Sequence, residues 1–507
     1  MQDFPREANV YLKDTRHVKI LFGLCYPSTY RAGMTGLATH LFYSLLNGRP
    51  DTSCERYFRF DVPSPFHSIE SRRPLRENHI VGFSLTYETD VVHMIQMLEL
   101  GGVPVWARER AETDPIVIVG GPAVSANPEP FAMFVDAFVI GEGDQAIHDI
   151  TEVVMESSSR QHAIDTMAEL EGVYVPSRPR SAIRRLVMRN LDEVFHPTRQ
   201  VVPDVPPGDR HEPVFGRALL VEVTRGCSHS CKFCLVGHIC RPHRARSLQT
   251  LQNIVSRGLH ETPVAKVALI GSSLGDMDQL EELVAFIVSG NHEFSVPSLR
   301  ADSVTMSLAR MLVQSGQRTL TIAPETGSQE LRRAIGKGLD DDAIEQAVSI
   351  AAEAGIKSVK LYFIIGLPGE THDDVREIPT LVGRLYDISH IRMTVSVNPF
   401  VPKAHTRFER YPQPPIEEIR HRLRIVQRGI RDIPQVQMES LDPRLARVQA
   451  ALSLGDRNMA MVIRLAARYG GLGGWRRAER ESGVPFFSVA NNGDRLSDEL
   501  PWSFIQV

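Results

Sequence analysis

Residues 220–234 read Leu220-Val221-Glu222-Val223-Thr224-Arg225-Gly226-Cys227-Ser228-His229-Ser230-Cys231-Lys232-Phe233-Cys234. An apolar, β-branched run stops at a glycine, and three cysteines follow in a CxxxCxxC pattern. This reads as a strand that feeds a loop of thiolates. A loop of this length can wrap its sulfurs around one metal cluster. Three thiolates satisfy three irons of a 4Fe–4S cluster and leave the fourth iron open for chemistry, whereas electron-transfer clusters usually have four ligands. Zinc is the competing reading, because it also takes sets with three cysteines, and Cys240 is a candidate fourth ligand. Structural zinc more often shows two separated CxxC pairs, which this sequence lacks.

Outward from this stretch, apolar runs and helical periods alternate. Strand candidates lie at 218–224, 266–270, 294–299, 318–323, 357–365 and 391–398. Helical patterns separate them at 248–260, 278–289, 303–314, 340–354 and 372–386, and an amphipathic helix follows at 415–430. Six such units predict a partial (β/α)6 barrel of parallel strands over 218–435. Upstream, strand candidates at Val18–Leu24, Ile80–Thr86, Pro115–Val119 and Ala137–Ile140 alternate with helices at Thr35–Leu46 and Asp90–Leu100. That alternation predicts a doubly wound parallel sheet over 1–170, with ligands outside the carboxyl ends of its strands. Residues 171–217 hold seven prolines and no long helical period, and read as a bridging segment. Residues 436–507 read as a small helical region, with Asp456 as an N-cap and Gly470-Gly471 as a stop. The fold class expected is therefore α/β throughout, with a helical C-terminal part.

Composition sets the outer bounds. The 507 residues are 42% hydrophobic and 23% charged, which excludes a chain disordered over most of its length. The net charge of −4 is too small to point to a partner. No apolar run is long enough to span a bilayer, and the first twenty residues lack the apolar core of a signal peptide. The expected location is cytoplasmic, without membrane partners, where the six cysteines stay reduced.

The CxxxCxxC loop, with Phe233 before the third cysteine and a strand before the first, resembles the signature of the radical S-adenosylmethionine (radical SAM) superfamily. The resemblance covers about 218–430. It implies that Cys227, Cys231 and Cys234 hold a 4Fe–4S cluster whose open iron chelates SAM. One electron, from a reductant such as flavodoxin or ferredoxin, then cleaves the sulfonium and releases a 5′-deoxyadenosyl radical. Further positions match by order along the barrel. Gly271-Ser272-Ser273 stands where the family often has Gly-Gly-Glu to hold the methionyl amine. Arg300 and Asp302, near the end of the third strand, are the expected catalytic pair. Glu325 and Ser328 follow the fourth strand, where polar contacts to SAM are made. Gly366 opens the turn after the fifth strand, and Val401 follows the sixth, near the adenine. Glu325 and Glu370 read equally as helix caps, and Arg300 and Asp302 as partners of each other.

The N-terminal part resembles the cobalamin-binding domain fused to some radical SAM enzymes. That domain's fingerprint is Asp-x-His-x-x-Gly, then Ser-x-Leu or Ser-x-Thr, then Gly-Gly. This chain has Ser28-Thr29-Tyr30-Arg31-Ala32-Gly33, then Ser84-Leu85-Thr86, then Gly120-Gly121. Ser replaces the Asp, and Tyr30 replaces the His that would ligate cobalt. A phenol with a reference pKa of about 10 is a poor cobalt ligand at neutral pH. The resemblance implies cobalamin held by Gly33, Ser84, Gly120 and Gly121, with Tyr30 beside the metal but not bound to it. The alternative is a domain that has lost the cofactor. Dinucleotide binding is disfavoured, since Gly-x-Gly-x-x-Gly is missing after the first strand. Segments such as SRRPLRENHIVGFSLTYETD and LPWSFIQV also resemble an uncharacterised bacterial family with this domain order.

The expected activity is that of a radical SAM enzyme, with cobalamin-assisted methyl transfer or rearrangement on an unknown substrate, RNA among the candidates. Methylthiolation is disfavoured because only Cys25 and Cys54 lie in the N-terminal part. A nucleic-acid-binding protein with a structural cluster is the reading from another class. Its motive is the stretch 176–250, with 13 Lys and Arg against 6 Asp and Glu, including Arg241, His243, Arg244 and Arg246.

Overall fold

Strand Ile20–Tyr26 runs seven residues and pairs parallel on both sides, with Thr52–Phe58 and with Ile80–Ser84. The sheet continues through Ile116–Gly120 and Ala137–Val139 and ends on the antiparallel edge strand Val173–Tyr174. The chain reverses its direction of travel beside Ile20–Tyr26, so a crevice opens at the carboxyl ends of these strands. One face of the sheet buries Phe22, Ile80 and Ile118 against the helices Leu37–Gly48 and Ala146–Glu156. The molecule is a computed structural model that describes residues 4–59, 66–491 and 499–507.

The expected strands and helices are present to within a few residues, and the doubly wound sheet is as anticipated. Thr52–Phe58 is an addition. It reads Thr-Ser-Cys-Glu-Arg-Tyr-Phe, yet every residue is buried. Its charges are neutralised at once: Arg56 lies between Glu7 and Glu70 at 2.6 and 2.7 Å, and Glu55 meets Arg73 at 2.6 Å.

In the second unit, Ala218–Glu222, Lys266–Ile270 and Glu293–Ser295 form one parallel sheet. Thr319–Glu325, Ser358–Ile365, Arg392–Pro399 and Val436–Glu439 form another. A backbone hydrogen bond from Leu299 to Thr321 crosses the seam between them. Seven parallel strands thus curve into the partial barrel, one more than the six expected, and Val436–Glu439 carries the barrel past residue 435. Alternate strand residues, among them Leu361, Phe363, Val395 and Val397, pack outward on the helices.

The bridging segment pairs twice. Val202–Pro203 runs antiparallel to Glu7–Ala8, and Ile183–Arg184 runs parallel to Ile505–Gln506. The C-terminal helices Pro443–Leu454, Ala460–Tyr469 and Gly471–Ser482 do not stand apart. Ala450, Ile463, Ala466 and Trp475 share one core with Val91, Met94, Ile95 and Leu98 of the N-terminal helix Val91–Leu100. Asp456 caps a short 3-10 turn and Gly470 ends Ala460–Tyr469, as the sequence suggests. Among the described residues no helix is long and apolar enough to cross a membrane.

Candidate active site

The cysteine loop is clamped at its base by a two-residue ribbon, in which Thr224–Arg225 pairs with Arg244–Ala245. Gly226 turns into the loop with φ of 76°, and a Cβ there would stand 2.2 Å from the Cys240 carbonyl oxygen, so no other residue fits. Two further ties hold the loop. The Lys232 amide donates to the Ile335 carbonyl at 2.9 Å, and Asp276 receives both the Ser228 hydroxyl and the His229 ring, the latter at 3.0 Å. Asp276 also takes the Ser273 hydroxyl, so the Gly271-Ser272-Ser273 turn is joined to the cysteines through a carboxylate that sequence reasoning passed over. Ser272 itself is exposed.

Cys231 is buried and Cys227 and Cys234 are half-buried. Burial pushes the Cys231 thiol up to about 11, while the Lys337 ammonium and the Arg300 guanidinium pull it down. Burial also raises Cys234, opposed by the amides of Gly237 and Val236, which point at its sulfur. Amide donors and a nearby ammonium are what a loop of thiolates requires when it carries the negative charge of an iron–sulfur cluster. The donor set therefore fits the 4Fe–4S cluster. Among the described residues no three His, Cys, Asp or Glu side chains are gathered around a single ion.

Beside the thiols, Glu325 receives a hydrogen bond from Lys337 Nζ at 2.8 Å. Glu325 has φ of 72°, a conformation costly for a side chain with a Cβ, and it sits where the register of its strand shifts. It lines a chamber of about 410 Å³ together with Phe233, Tyr362, Asn398, Val401 and Lys403. Phe233, Glu325 and Val401 thus meet at the barrel mouth, with the cysteines and Arg300 around Glu325 and Lys337.

Other expected residues make contacts within the chain. Arg300 and Asp302 bind each other at 2.8 Å, and Arg300 also holds the Lys337 carbonyl at 3.1 Å, so the pair braces the turn that presents Lys337. Ser328 caps the helix Gln329–Ala334. The Gly366 amide donates to Glu370 at 2.6 Å, and burial lifts the Glu370 carboxyl to about 7 against the pull of Arg422.

In the N-terminal unit, a cleft of about 230 Å³ opens between the sheet and the helices Leu37–Gly48 and Ala146–Glu156. Gly82, Ser84, Gly120 and Gly121 line it, as do Phe42, Thr86, Gly141 and Gly143. Gly121 has φ of 108°, and a Cβ there would stand 2.5 Å from the Leu85 carbonyl oxygen. Tyr30 and Gly33, expected beside a cofactor, do not line the cleft. The Tyr30 hydroxyl donates to Glu7 at 2.7 Å, its ring packs on Phe4, Phe58 and His211, and Gly33 lies against the Phe58 ring. The two units touch across the barrel mouth, where Lys403 Nζ meets Glu88 at 2.5 Å and Gln449 donates to the same carboxylate at 3.0 Å.

Residues 221–382 match the radical SAM superfamily, and residues 38–176 match radical SAM proteins, N-terminal. The chain belongs to the radical SAM superfamily. It is an enzyme of that superfamily, whose cofactors are a 4Fe–4S cluster and SAM and whose members need a one-electron reductant. An uncharacterised protein of Methanocaldococcus jannaschii, MJ0966, is 29% identical over 446 residues, 87% of this chain and 90% of its own length. That relative is archaeal, so the likeness is not confined to the bacterial family expected. The ribosomal protein uS12 methylthiotransferase RimO of Syntrophobacter fumaroxidans is 28% identical over 239 residues, which is 44% of this chain. The match spans about half of the methylthiotransferase, 52%. Among solved structures, the radical SAM methyltransferase TsrM from Kitasatospora setae, with cobalamin and a 4Fe–4S cluster bound, superposes with a TM-score of 0.53 at 13% identity. The superposition covers 91% of this chain and 99% of TsrM, which establishes a shared fold.

Proposed function

We propose that this radical SAM enzyme carries a corrinoid in its N-terminal cleft and performs cobalamin-assisted methyl transfer, with rearrangement as the second outcome of the same radical. The carrying observation is the cleft itself. It lies at the carboxyl ends of a doubly wound sheet, is walled by glycines and by Phe22, Phe42 and Ile118, and offers Ser84 and Thr86 as polar groups. At about 230 Å³ it suits a flat nucleotide arm and is too small for a corrin ring, which would rest across its mouth on the glycine edge. Tyr30 is buried away from the cleft and supplies no cobalt ligand. When bound, cobalamin supplies a transferable methyl group. The chain's own residues prepare the rest. Cys227, Cys231 and Cys234 would hold the cluster. Glu325, fixed by Lys337, faces the chamber as the acceptor for SAM, and Phe233 and Val401 give its adenine apolar walls. The Lys403–Glu88 bridge keeps the barrel mouth beside the unit that holds the cleft.

Two other readings lose support. Methylthiolation would need a second set of cysteines, and Cys25 and Cys54 are buried thiols inside separate cores. The nucleic-acid reading rested on the basic stretch 176–250, but its Arg244 is bound to Glu142, and its Arg246 to Glu222 and to the carbonyls of Leu191 and Val194. Anaerobic reconstitution with iron and sulfide, then incubation with hydroxocobalamin, SAM and a strong reductant, tests the proposal. The expected result is 5′-deoxyadenosine together with a corrinoid absorption spectrum that stays with the protein on gel filtration. Deoxyadenosine without retained corrinoid would refute the cobalamin assignment.

A further inference from the structure

Gly141-Glu142-Gly143-Asp144 follows the strand Ala137–Val139. The two glycines line the N-terminal cleft. The two acids, interleaved with them, turn to the barrel. Asp144 takes both ends of the Arg225 fork, at 2.7 and 2.9 Å. Glu142 takes Arg225 at 3.1 Å and Arg244 at 2.8 Å. Arg225 and Arg244 are the paired residues of the ribbon that clamps the cysteine loop, one immediately before Gly226-Cys227 and the other beyond Cys240. Arg244 also grips the Cys240 and Pro242 carbonyls. All four charged side chains are largely shielded from water, each 15% exposed or less.

We infer that Glu142 and Asp144 are positioning residues that couple the occupant of the cleft to the iron–sulfur cluster. The inference rests on the reading that the cleft takes a corrinoid. A single four-residue loop forms the cleft wall with its glycines and the cluster loop's anchor with its acids. A ligand that orders Gly141 and Gly143 therefore also fixes Glu142 and Asp144, and through them the base of the cysteine loop. Bidentate guanidinium–carboxylate pairs transmit position well because two parallel bonds fix direction as well as distance. Coupling of this kind is reciprocal: the cluster must raise the cleft's affinity by the same factor by which the cleft's ligand favours the cluster-bearing loop.

The experiment titrates hydroxocobalamin by absorbance into two forms of each protein, cluster-free and reconstituted. The wild type is expected to bind it at least about 5-fold more tightly when the cluster is present. In the Glu142→Gln/Asp144→Asn double variant that ratio is expected to fall close to one at equal iron content per chain. Iron release to a chelator gives the converse reading, slowed by hydroxocobalamin in the wild type and not in the variant. Arg244→Lys, made from the barrel side, keeps the charge, loses the fork and is expected to lower the ratio as well, so that a poorly folding double variant does not end the test. The same ratio in wild type and variants overturns the coupling and leaves the cobalamin reading standing. Wild type that binds no hydroxocobalamin in either form overturns the cobalamin reading and the coupling with it.

Discussion

Replacing Arg56 by methionine removes the one positive charge between two buried carboxylates. The Arg56 side chain is 1% exposed and the Glu70 side chain 1%, and Arg56 meets Glu7 at 2.6 Å and Glu70 at 2.7 Å while its guanidinium lies 4.6 Å from the Tyr43 ring centre. Methionine fills much of the same volume, so the cost is electrostatic. Breaking a buried ion pair from one side costs about 3–5 kcal/mol, because a charge is left unpaired. For a unit of this size that corresponds to a melting temperature lower by roughly 10 °C. The sign of the pH dependence follows from Glu70. Burial already holds its carboxyl above the usual value, and Arg56 opposes that rise. Without Arg56 the folded-state pKa climbs further, so the folded protein gains a proton that the unfolded chain does not hold. The variant's deficit is therefore largest at pH 8 and shrinks as the pH falls through that raised pKa toward the ordinary glutamate value. Thermal unfolding followed by circular dichroism at pH 8 and pH 5.5 measures both effects. Adding Glu7→Gln and Glu70→Gln is expected to recover most of the loss, since exchanging a whole buried ion set is often nearly neutral. A variant within about 1 kcal/mol of wild type at pH 8, or a deficit that ignores pH, refutes the reasoning.

Cys231→Ala is expected to lose the broad visible absorption of the cluster on reconstitution, and Cys240→Ala to keep it, because only the first lies within the CxxxCxxC set. Glu325→Gln is expected to weaken SAM binding, read by equilibrium dialysis, while iron content per chain stays unchanged; unaltered affinity would make Glu325 a partner of Lys337 and nothing more. Gly120 tests the cleft. A Cβ there would meet no atom outside its chain neighbours closer than 3.8 Å, so Gly120→Leu enters the cleft without a backbone clash. It is expected to lower hydroxocobalamin affinity at least about tenfold, a loss of roughly 1.4 kcal/mol, with SAM cleavage retained.

The barrel and its thiolates were legible because their signals are local. A strand, a glycine and three spaced cysteines need no distant partner to be recognised, and the long helices carry their period with them. Strand Thr52–Phe58 was hidden for the opposite reason. Glu55 and Arg56 look like surface residues until Glu7, Glu70 and Arg73, which lie elsewhere in the sequence, are brought beside them. The four-residue strand Val436–Glu439 is too short to show a period. Tyr30 was placed beside a cofactor by alignment with a fingerprint, and only the folded chain reveals that Glu7 claims its hydroxyl. Counting arginines over 176–250 gave a basic patch, yet the count is blind to Glu142 and Asp144, which lie outside that stretch and absorb Arg225 and Arg244. Asp276 and Lys337 carried no motif at all. Their roles come from the loops that face them.

The ladder between Ile183–Arg184 and Ile505–Gln506 has a consequence for biosynthesis. Its two strands lie some 320 positions apart, so at about 5–20 residues per second the ribosome makes the second on the order of half a minute after the first. The sheet unit and much of the barrel can fold in that interval, while the segment that bridges them waits for its last partner. Closure of this ladder is thus a late event, with a contact order far above that of the helices around it. A nascent chain stalled before residue 505 would leave Ile183–Arg184 without its ladder partner, although Leu186, just beyond it, is already bridged to Gly141.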